Sequence, residues 1–281
     1  MSPLVLSAVL FAALLHATWN AMIKVSGDRL IIMGVTTATT SLLSLPILFY
    51  IPLPAPESWP YLILSACVHT FYMLVLVRAY GLGDFAQVYP LSRGSAPLLT
   101  GTLGFLILNE SMQSSELFGM LLIVVGIFGL ALETSAGVLR LSRPALFYSL
   151  LTGLCITTYS LVDGIGVRLS GNSLSFIVWM FFLDGFLVPL IAFTKRPRAV
   201  FFNTIKTVWK TGLLISLLST TGYAIIVWAF SQERIAPVAV LRETSVLFAM
   251  LISVLIIKEA FPTLRVLIVS VILTGIILLG I

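Results

Sequence analysis

The amino-acid sequence predicts an all-α integral membrane protein with ten transmembrane helices, arranged as two inverted five-helix repeats. Hydrophobic residues make up 59% of the 281 residues and charged residues only 10%, whereas a soluble domain carries about 25% charged residues. Apolar runs of about 20 residues, the length that crosses a bilayer, follow one another along the chain. Arg93 and Arg242, like Gly126 and Gly275, are 149 positions apart. This common offset indicates an internal duplication.

The apolar runs are bounded by charged residues, proline or glycine, which set the predicted ends of the spans. The ten predicted spans cover residues 3–24, 30–51, 58–80, 86–108, 115–133, 144–168, 173–194, 209–231, 235–257 and 261–280. Each half, residues 1–134 and residues 144–281, contains five spans, so the second half must enter the membrane in the opposite sense from the first. The longest predicted connection, from Lys195 to about Val208, is too short to fold as a soluble domain. We therefore expect the functional site within the membrane.

Basic residues are concentrated on one predicted side of the membrane. The even-numbered connections carry only Arg168 and Arg234, whereas the odd-numbered connections and adjoining helix ends carry twelve lysines and arginines. These twelve are Lys24, Arg29, Arg78, Arg140, Arg143, Lys195, Arg196, Arg198, Lys206, Lys210, Lys258 and Arg265. By the positive-inside rule, the odd-numbered connections would be cytoplasmic and both termini would lie outside.

Several kinds of partner and cofactor are not predicted. The net charge of +5 comes from basic residues that face lipid headgroups, and no basic surface interleaved with aromatic residues indicates a nucleic-acid partner. Cys67 and Cys155 lie within apolar spans, so no disulfide is expected. The sequence has no Walker motif, and His16 and His69 lack the spacing of metal ligands. We therefore predict no cofactor.

The first and sixth spans carry matching polar residues. His16, Trp19 and Asn20 share one face of the first span. Tyr159 and Asp163 in the sixth span follow His16 and Asn20 by 143 positions each. These side chains are expected either to line a transport pathway or to form hydrogen bonds between helices.

The second and eighth spans are rich in small and hydroxylated residues, within residues 36–44 and 216–222. Such residues allow close helix packing, and they also suit a polar path. Pro46 and Pro189 lie late in the second and seventh spans. They are expected to bend those helices as gates.

The fourth and ninth spans each contain an arginine, Arg93 and Arg242, about eight residues from the start of the span. An ionisable group at the centre of a span costs about 2.5–3.5 kcal/mol on insertion scales, so it needs a partner or a cavity. Because the halves are inverted, the two guanidinium groups would lie at pseudo-symmetric depths and could converge on a central cavity, where they favour an anion. The alternative is that they hold helices together, Arg242 by pairing with a carboxylate such as Glu243, Asp163 or Asp184, and Arg93 by pairing with a backbone carbonyl or another acid. The two roles can coexist.

Prolines mark both of these spans. Pro90 and Pro97 bracket Arg93, and Pro237 precedes Arg242 by five residues. Proline interrupts helical hydrogen bonding, which a membrane tolerates only beside protein or a water-filled cavity. Interrupted helices at corresponding positions of two halves are typical of a transporter's binding site.

Glu110 and Glu259, which are also 149 positions apart, lie in the segments LNES (108–111) and IKEA (257–260) that end the fourth and ninth spans. With these segments and its two five-span halves, the chain resembles the EamA branch of the drug/metabolite transporter superfamily over nearly its whole length. The segment LLHATWNAMIK (14–24) also resembles EamA-type proteins associated with phosphonate utilisation. The resemblance implies transport activity, and it implies cytoplasmic termini, which contradicts the loop charges. We expect a structural role for both glutamates.

We predict a secondary transporter of the bacterial inner membrane, and not an enzyme. It would move a small anionic or zwitterionic metabolite, such as an amino acid, an organic acid or a phosphonate, by alternating access at a central site between the halves. Proton coupling and facilitated diffusion both stay open, as do a monomer and a homodimer. The alternatives are a flippase for a lipid-linked phosphate and an intramembrane enzyme, which would need a base and a nucleophile or metal within hydrogen-bond reach.

The predicted site combines the polar and aromatic residues of several spans, to which His69 in the third span is added. The substrate-binding residues would be His16, Trp19, Asn20, Tyr72, Tyr89, Arg93, Tyr159, Asp163, Tyr223 and Arg242. Asp163, Asp184 and Glu243 would carry a coupling proton or form an ion pair with an arginine.

Overall fold

A computed structural model describes most of the chain. The described residues are 1–83, 88–89, 91–96, 99–100, 103, 113–132, 142–256 and 263–278. Among them the structure contains helices and turns and no strand. The predictions made for Pro90, Pro97, Glu110 and Glu259 lie outside the described residues.

Eleven helices are numbered in chain order. They are α1 (Pro3–Val25), α2 (Arg29–Ser44), α3 (Trp59–Leu82), α4 (Ser114–Leu132), α5 (Arg143–Leu169), α6 (Ser173–Asp184), α7 (Leu187–Lys195), α8 (Arg198–Gln232), α9 (Ile235–Arg242), α10 (Ser245–Ile256) and α11 (Thr263–Leu278). Two short 3₁₀ turns, Ile47–Phe49 and Pro56–Ser58, lie between α2 and α3. Residues 91–96, which include Arg93, are also helical.

Six described stretches are long and apolar enough to cross a membrane. They are Pro3–Val25, Arg29–Phe49, Pro56–Leu82, Arg143–Leu169, Ser173–Lys195 and Arg198–Gln232, and a shorter apolar helix covers Leu117–Gly129. The predicted class of an all-α membrane protein is therefore confirmed. The count of ten spans stays a prediction.

Side-chain caps explain why several helices begin close to the predicted positions. Ser2, Asp28, Ser142 and Asn172 each accept a hydrogen bond from a backbone N–H in the first turn of the helix that follows. Such caps satisfy backbone donors that have no partner within the helix. Capping residues at apolar boundaries therefore fix the starts of α1, α2, α5 and α6.

The start of α8 was predicted wrongly. This helix begins at Arg198, eleven residues before the predicted span, so most of the predicted connection from Lys195 to Val208 is helical. Pro197 stands at the N-cap position, and neither glycine nor proline follows before Gly212. Because nothing in this segment interrupts a helix, α8 extends past its apolar part.

The two halves interlock. The first helix of each half packs against the third helix of the other half, as α1 with α8 and α3 with α5. The second helices meet where α2 contacts α6 and α7, and the last helices, α4 and α11, pack together. These exchanged pairs are the contacts that a pseudo-twofold relation between two repeats produces.

The glycines that revealed the duplication lie where α4 crosses α11. A Cβ atom on Gly275 would lie 2.6 Å from the carbonyl oxygen of Gly119, and a Cβ on Gly126 would collide with the Ile272 side chain. Helices in membranes approach this closely where small residues face each other. Close packing of α4 against α11 therefore accounts for the presence of glycine at both of these equivalent positions.

We expect Gly275→Ala to destabilise the protein by about 1–3 kcal/mol, because the added methyl group meets backbone atoms that cannot move away without shifting α4. The measurement is the apparent melting temperature of the purified protein in detergent. Gly129→Ala is the matched control, since its Cβ would meet Ile268 at an ordinary 3.5 Å. Equal melting temperatures for both variants would contradict the close crossing.

Helix interruptions occur in the second half, but not at its prolines. The helical path breaks at Gly185 and Phe186 between α6 and α7, and at Glu243 and Thr244 between α9 and α10. Pro189 and Pro237 instead occupy the third positions of α7 and α9. The first turn of a helix tolerates proline, because its N–H groups have no partner within the helix.

In the first half, α2 ends at Ser44, two residues before Pro46, as expected of a helix that approaches proline. The Gly185 break also depends on α2, because a Cβ at Gly185 would lie 2.9 Å from the Thr37 carbonyl oxygen. Glycine therefore lets the α6–α7 break touch α2. The residue before this break is Asp184.

Candidate functional site

A cavity lies between the two halves, where the end of α6 and the segment that contains Arg93 meet α1, α2, α3, α5 and α8. It encloses about 660 Å³ of empty space, including the space at its mouth. Its lining consists of His16, Trp19, Met33, Thr36, Thr37, Thr40, His69, Tyr72, Met73, Arg93, Tyr159, Phe181, Asp184, Ser219, Thr220 and Tyr223. Most of these side chains are aromatic or hydroxylated, and Arg93 and Asp184 bring opposite charges.

The predicted site residues fall into two groups. His16, Trp19, Tyr72, Arg93, Tyr159, Asp184 and Tyr223 line the cavity. Asn20, Tyr89, Asp163, Arg242 and Glu243 are buried and are not part of its lining. The second group contacts the first, as the following geometry shows.

Arg93 and Arg242 converge on one carboxylate, that of Glu243. Nη1 of Arg93 donates to both carboxylate oxygens at 3.3 Å, and Nε of Arg242 donates to Oε1 at 3.0 Å. All three side chains are almost completely buried. Convergence of the two arginines and ion pairing were both predicted, and the two geometries occur together at Glu243.

This cluster carries more positive than negative charge. Two guanidinium groups share one carboxylate. Nη2 of Arg242 lies 3.0 Å from Oε1 of Glu243 in an ion pair, and Nη1 of Arg242 has no hydrogen-bond partner among the described residues. Residue 94, the position 149 before Glu243, is glycine. The duplication therefore supplies a second arginine but no second acid.

Aromatic rings connect the arginines to the cavity wall. The Arg242 guanidinium lies 5.6 Å from the ring centre of Tyr159, and that of Arg93 lies 5.6 Å from the ring centre of Tyr89. Tyr159 in turn stacks on His69 with ring centres 4.5 Å apart. Cation–π contacts of this kind stabilise guanidinium groups away from water. Arg242 therefore lies directly behind the ring of a lining residue.

His69 lies between two buried acids. Its Nε2 is 3.7 Å from Oδ2 of Asp163, and its Nδ1 is 3.5 Å from Oδ2 of Asp184. Nδ1 also lies 3.1 Å from the Ser65 hydroxyl. The Oδ1 atoms of both aspartates have no hydrogen-bond partner among the described residues. No described group of three or more His, Cys, Asp or Glu side chains is arranged to hold a metal ion.

Equivalent tyrosine hydrogen bonds occur in the two halves. The Tyr80 hydroxyl donates to Oδ1 of Asn20 at 2.9 Å, and the Tyr223 hydroxyl donates to Oδ2 of Asp163. Tyr80 and Tyr223 are 143 positions apart, like Asn20 and Asp163. Tyr80 and Ser65 were not among the predicted site residues. The 143-residue offset would have identified Tyr80, whereas no repeat signal marks Ser65.

At the membrane surface, an ion pair joins the two halves. Nε and Nη2 of Arg196 donate to the Asp28 carboxylate at 2.5 and 3.2 Å. Partial burial raises the pKa of Asp28, but hydrogen bonds from Arg196 and from the backbone N–H groups of Ile31 and Leu30 outweigh it and hold this pKa below its usual value. Asp28 therefore both caps α2 and holds the α7–α8 connection.

A lowered pKa means that the ion pair of Asp28 stabilises the protein when the carboxyl is ionised. This contribution is present above the unfolded pKa of about 3.9, and it is lost as the pH falls through the lower folded pKa. We expect Asp28→Asn, which keeps a capping side chain, to melt below wild type at neutral pH. The difference should shrink as the pH falls below about 4. A difference independent of pH would contradict the ion pair.

Comparison with known proteins identifies the family to which the chain belongs. The model of the EamA-like transporter family matches the chain twice, over residues 3–132 and 143–281. No curated protein sequence matches significantly. Among 29 matching chains of solved structures, one, titled only "Crystal structure of protein", has a TM-score of 0.75, covers 98% of this chain and 97% of its own, and is 15% identical. At this identity the likeness shows the fold alone.

Proposed function

Because the chain belongs to the EamA-like transporter family, we propose that it carries a small anionic or zwitterionic solute across the bacterial inner membrane. The solute binds in the central cavity, and two inverted five-helix halves expose the cavity to each side in turn. Amino acids, organic acids and phosphonates are the solute classes that fit this proposal. Each combines a small size with an acidic group.

The observation that carries the proposal is the excess positive charge of the buried cluster of Arg93, Arg242 and Glu243. Arg93 lies in the cavity wall, and the guanidinium fork matches carboxylate and phosphonate oxygens. A buried charge without a full counter-charge is costly, so an anion that enters the cavity reduces this cost. A cationic solute would increase it.

Glu243 acts in this proposal as a resident counter-ion. It occupies the place on Arg93 that a solute carboxylate would take, at 3.3 Å from Nη1. An arriving anion competes for that guanidinium, and Glu243 keeps its bond to Arg242. The exchange leaves every buried charge with a partner.

The segment that contains Glu243 would also connect solute binding to a movement of α9 relative to α10. Glu243 lies in the turn between α9 and α10, where backbone hydrogen bonds span only three residues, as from Glu243 N–H to the Val240 carbonyl at 3.0 Å. Short stretches of this kind within helices often mark functional hinges. A change of partner at Glu243 would therefore act on the hinge itself.

A zwitterion would find both charges that it needs. Asp184 also lines the cavity, next to the break between α6 and α7. Its carboxylate would accept the ammonium group of an amino acid, while Arg93 takes the carboxylate. Tyr72, Tyr159 and Tyr223 supply aromatic walls for the remaining atoms of the solute.

The test is a ligand screen by thermal stability, because a solute that binds only the folded state raises the melting temperature by mass action. The probes are alanine, succinate, methylphosphonate and the cation tetraphenylphosphonium, each added to the purified protein in detergent. We expect stabilisation by at least one of the first three. Stabilisation by tetraphenylphosphonium alone would overturn the proposal. Uptake of a binding probe into proteoliposomes then tests transport.

A further inference from the structure

Each half contains an equivalent buried tyrosine hydrogen bond, but the acceptor group differs between the halves. Tyr80 donates to the amide of Asn20, and Tyr223 donates to the carboxylate of Asp163. An amide is neutral at every physiological pH, whereas a carboxyl group can gain and lose a proton. The second half thus carries a titratable group where the first half carries a neutral one of the same shape.

The side chains of Asn20 and Asp163 also differ in the surroundings of their second polar atom. Nδ2 of Asn20 donates to the His16 carbonyl, four residues earlier, at 2.8 Å. The matching atom of Asp163, Oδ1, has no hydrogen-bond partner among the described residues, although Asp163 is fully buried. A buried polar atom without a partner is costly. A proton on Oδ1 would turn it into a donor, as Nδ2 is in Asn20, and by the pseudo-symmetry its acceptor would be the Tyr159 carbonyl.

The surroundings of Asp163 can deliver a proton and respond to it. The polar or charged groups that face it are Tyr159 on its own helix, His69 and Ser65 on α3, Tyr223 on α8, Asp184 on α6 and Arg242 on α9. His69 and Asp184 line the cavity, whereas Asp163 does not. Since His69 lies within 3.7 Å of Asp163 and 3.5 Å of Asp184, a proton from cavity water can pass inward through these groups.

The formal charges around the cavity leave room for one proton. Arg93 and Arg242 are positive, while Asp163, Asp184 and Glu243 are negative when ionised, which gives one excess negative charge with His69 neutral. One proton on Asp163 brings this sum to zero. The inner cluster of Arg93, Arg242 and Glu243 is positive by itself, whereas the five side chains together are balanced when one of the three acids holds a proton. Buried charges require such balance.

We propose that Asp163 is the proton-binding site of this transporter, reached from the cavity through Asp184 and His69. When the proton binds, an O–H bond forms at Oδ1 and the carboxylate loses its charge. Arg242, which acts on Asp163 through its charge, is then less compensated and attracts an anion more strongly. Proton and anion therefore favour each other's binding, and this last step rests on the function proposed above.

The first experiment needs no solute. Infrared difference spectra of the purified protein, recorded between about pH 9 and about pH 5, would reveal the C=O stretch of a protonated carboxyl group. We expect such a band in wild type and its loss in Asp163→Asn, which should fold because Asn20 makes the same hydrogen bond in the first half. Persistence of the band in Asp163→Asn, or its loss only in Asp184→Asn, would overturn the assignment.

Two further variants test whether the infrared band depends on the hydrogen bond that Asp163 accepts from Tyr223. Tyr223→Phe removes the donor to Asp163 and should shift the band, whereas Tyr80→Phe removes the matching bond in the first half and should leave the band unchanged. Equal spectra for these two variants would overturn the assignment. A band that responds to added Na⁺ and not to pH would also overturn it, in favour of a sodium site.

The coupling is measured separately, as proton uptake from weak buffer when succinate or methylphosphonate is added. We expect uptake by wild type and none by Asp163→Asn. Binding with equal proton uptake in both proteins would overturn the coupling. If none of alanine, succinate and methylphosphonate binds, the anion proposal fails in the ligand screen, while the infrared band still decides whether Asp163 holds a proton.

Discussion

Replacing Arg93 by glutamine is expected to weaken the binding of an anionic solute by about 10- to 100-fold while the protein stays folded. A charge-assisted hydrogen bond contributes about 1.5–3 kcal/mol, and about 1.4 kcal/mol corresponds to a tenfold change in affinity. The fold should survive because Glu243 keeps its bond to Arg242, so one buried cation still faces one buried anion. The measurement is the shift in melting temperature with increasing succinate or methylphosphonate.

Arg196→Gln is the matched control for Arg93→Gln. It also removes one guanidinium group from an ion pair, but Arg196 lies at the membrane surface against Asp28. Its solute affinity should equal that of wild type. If Arg93→Gln binds the probe as wild type does, or if it no longer folds, then the arginine is structural and the proposed anion site is wrong.

Replacing Glu243 by glutamine is expected to have the largest effect on stability, a loss of about 3–5 kcal/mol of the free energy of unfolding. Both Arg93 and Arg242 lose the carboxylate that they share, and removal of one partner from a buried ion pair is strongly destabilising. We expect little folded protein in detergent extracts and a much lower melting temperature for what remains. Glu57→Gln, which changes an exposed glutamate, should behave as wild type.

The double variant Glu243→Gln with Arg93→Gln tests the reason for that loss. It removes one cation together with the anion, so it should be more stable than Glu243→Gln alone although it carries an additional substitution. Such non-additivity is characteristic of residues in one charge network. A double variant that is less stable than either single variant would exclude charge imbalance as the cause.

Much of this arrangement could be predicted from the sequence, because it follows from the lengths of the apolar runs and from the constant offsets between equivalent residues of the two halves. The apolar runs, with the charged, proline or glycine residues that bound them, predicted the starts of α1, α2, α5 and α6 within one residue. The 149-residue offset indicated that Arg93 and Arg242 belong together, and the structure brings both onto Glu243. The 143-residue offset paired Asn20 with Asp163, which hold equivalent hydrogen bonds.

Other features depend on tertiary contacts that no local pattern records. The α6–α7 break exists where Gly185 touches α2, so proline positions could not predict it. The predicted start of α8 was wrong because hydrophobicity indicates the membrane-spanning part of a helix and not its full length. The layer behind the cavity wall, where Arg242 and Asp163 lie, follows from helix rotation, which polar residues alone do not determine.

The single acid between two arginines also bears on how such a chain can arise. In a symmetric dimer of identical five-helix subunits, every residue occurs twice at equivalent positions, so two arginines would meet either no such glutamate or two. In one polypeptide that contains both halves, residue 94 can be glycine while residue 243 is glutamate. The same freedom separates Asn20 from Asp163. A single chain with two repeats can therefore place different side chains at equivalent positions of its two halves, which a symmetric dimer of identical subunits cannot do.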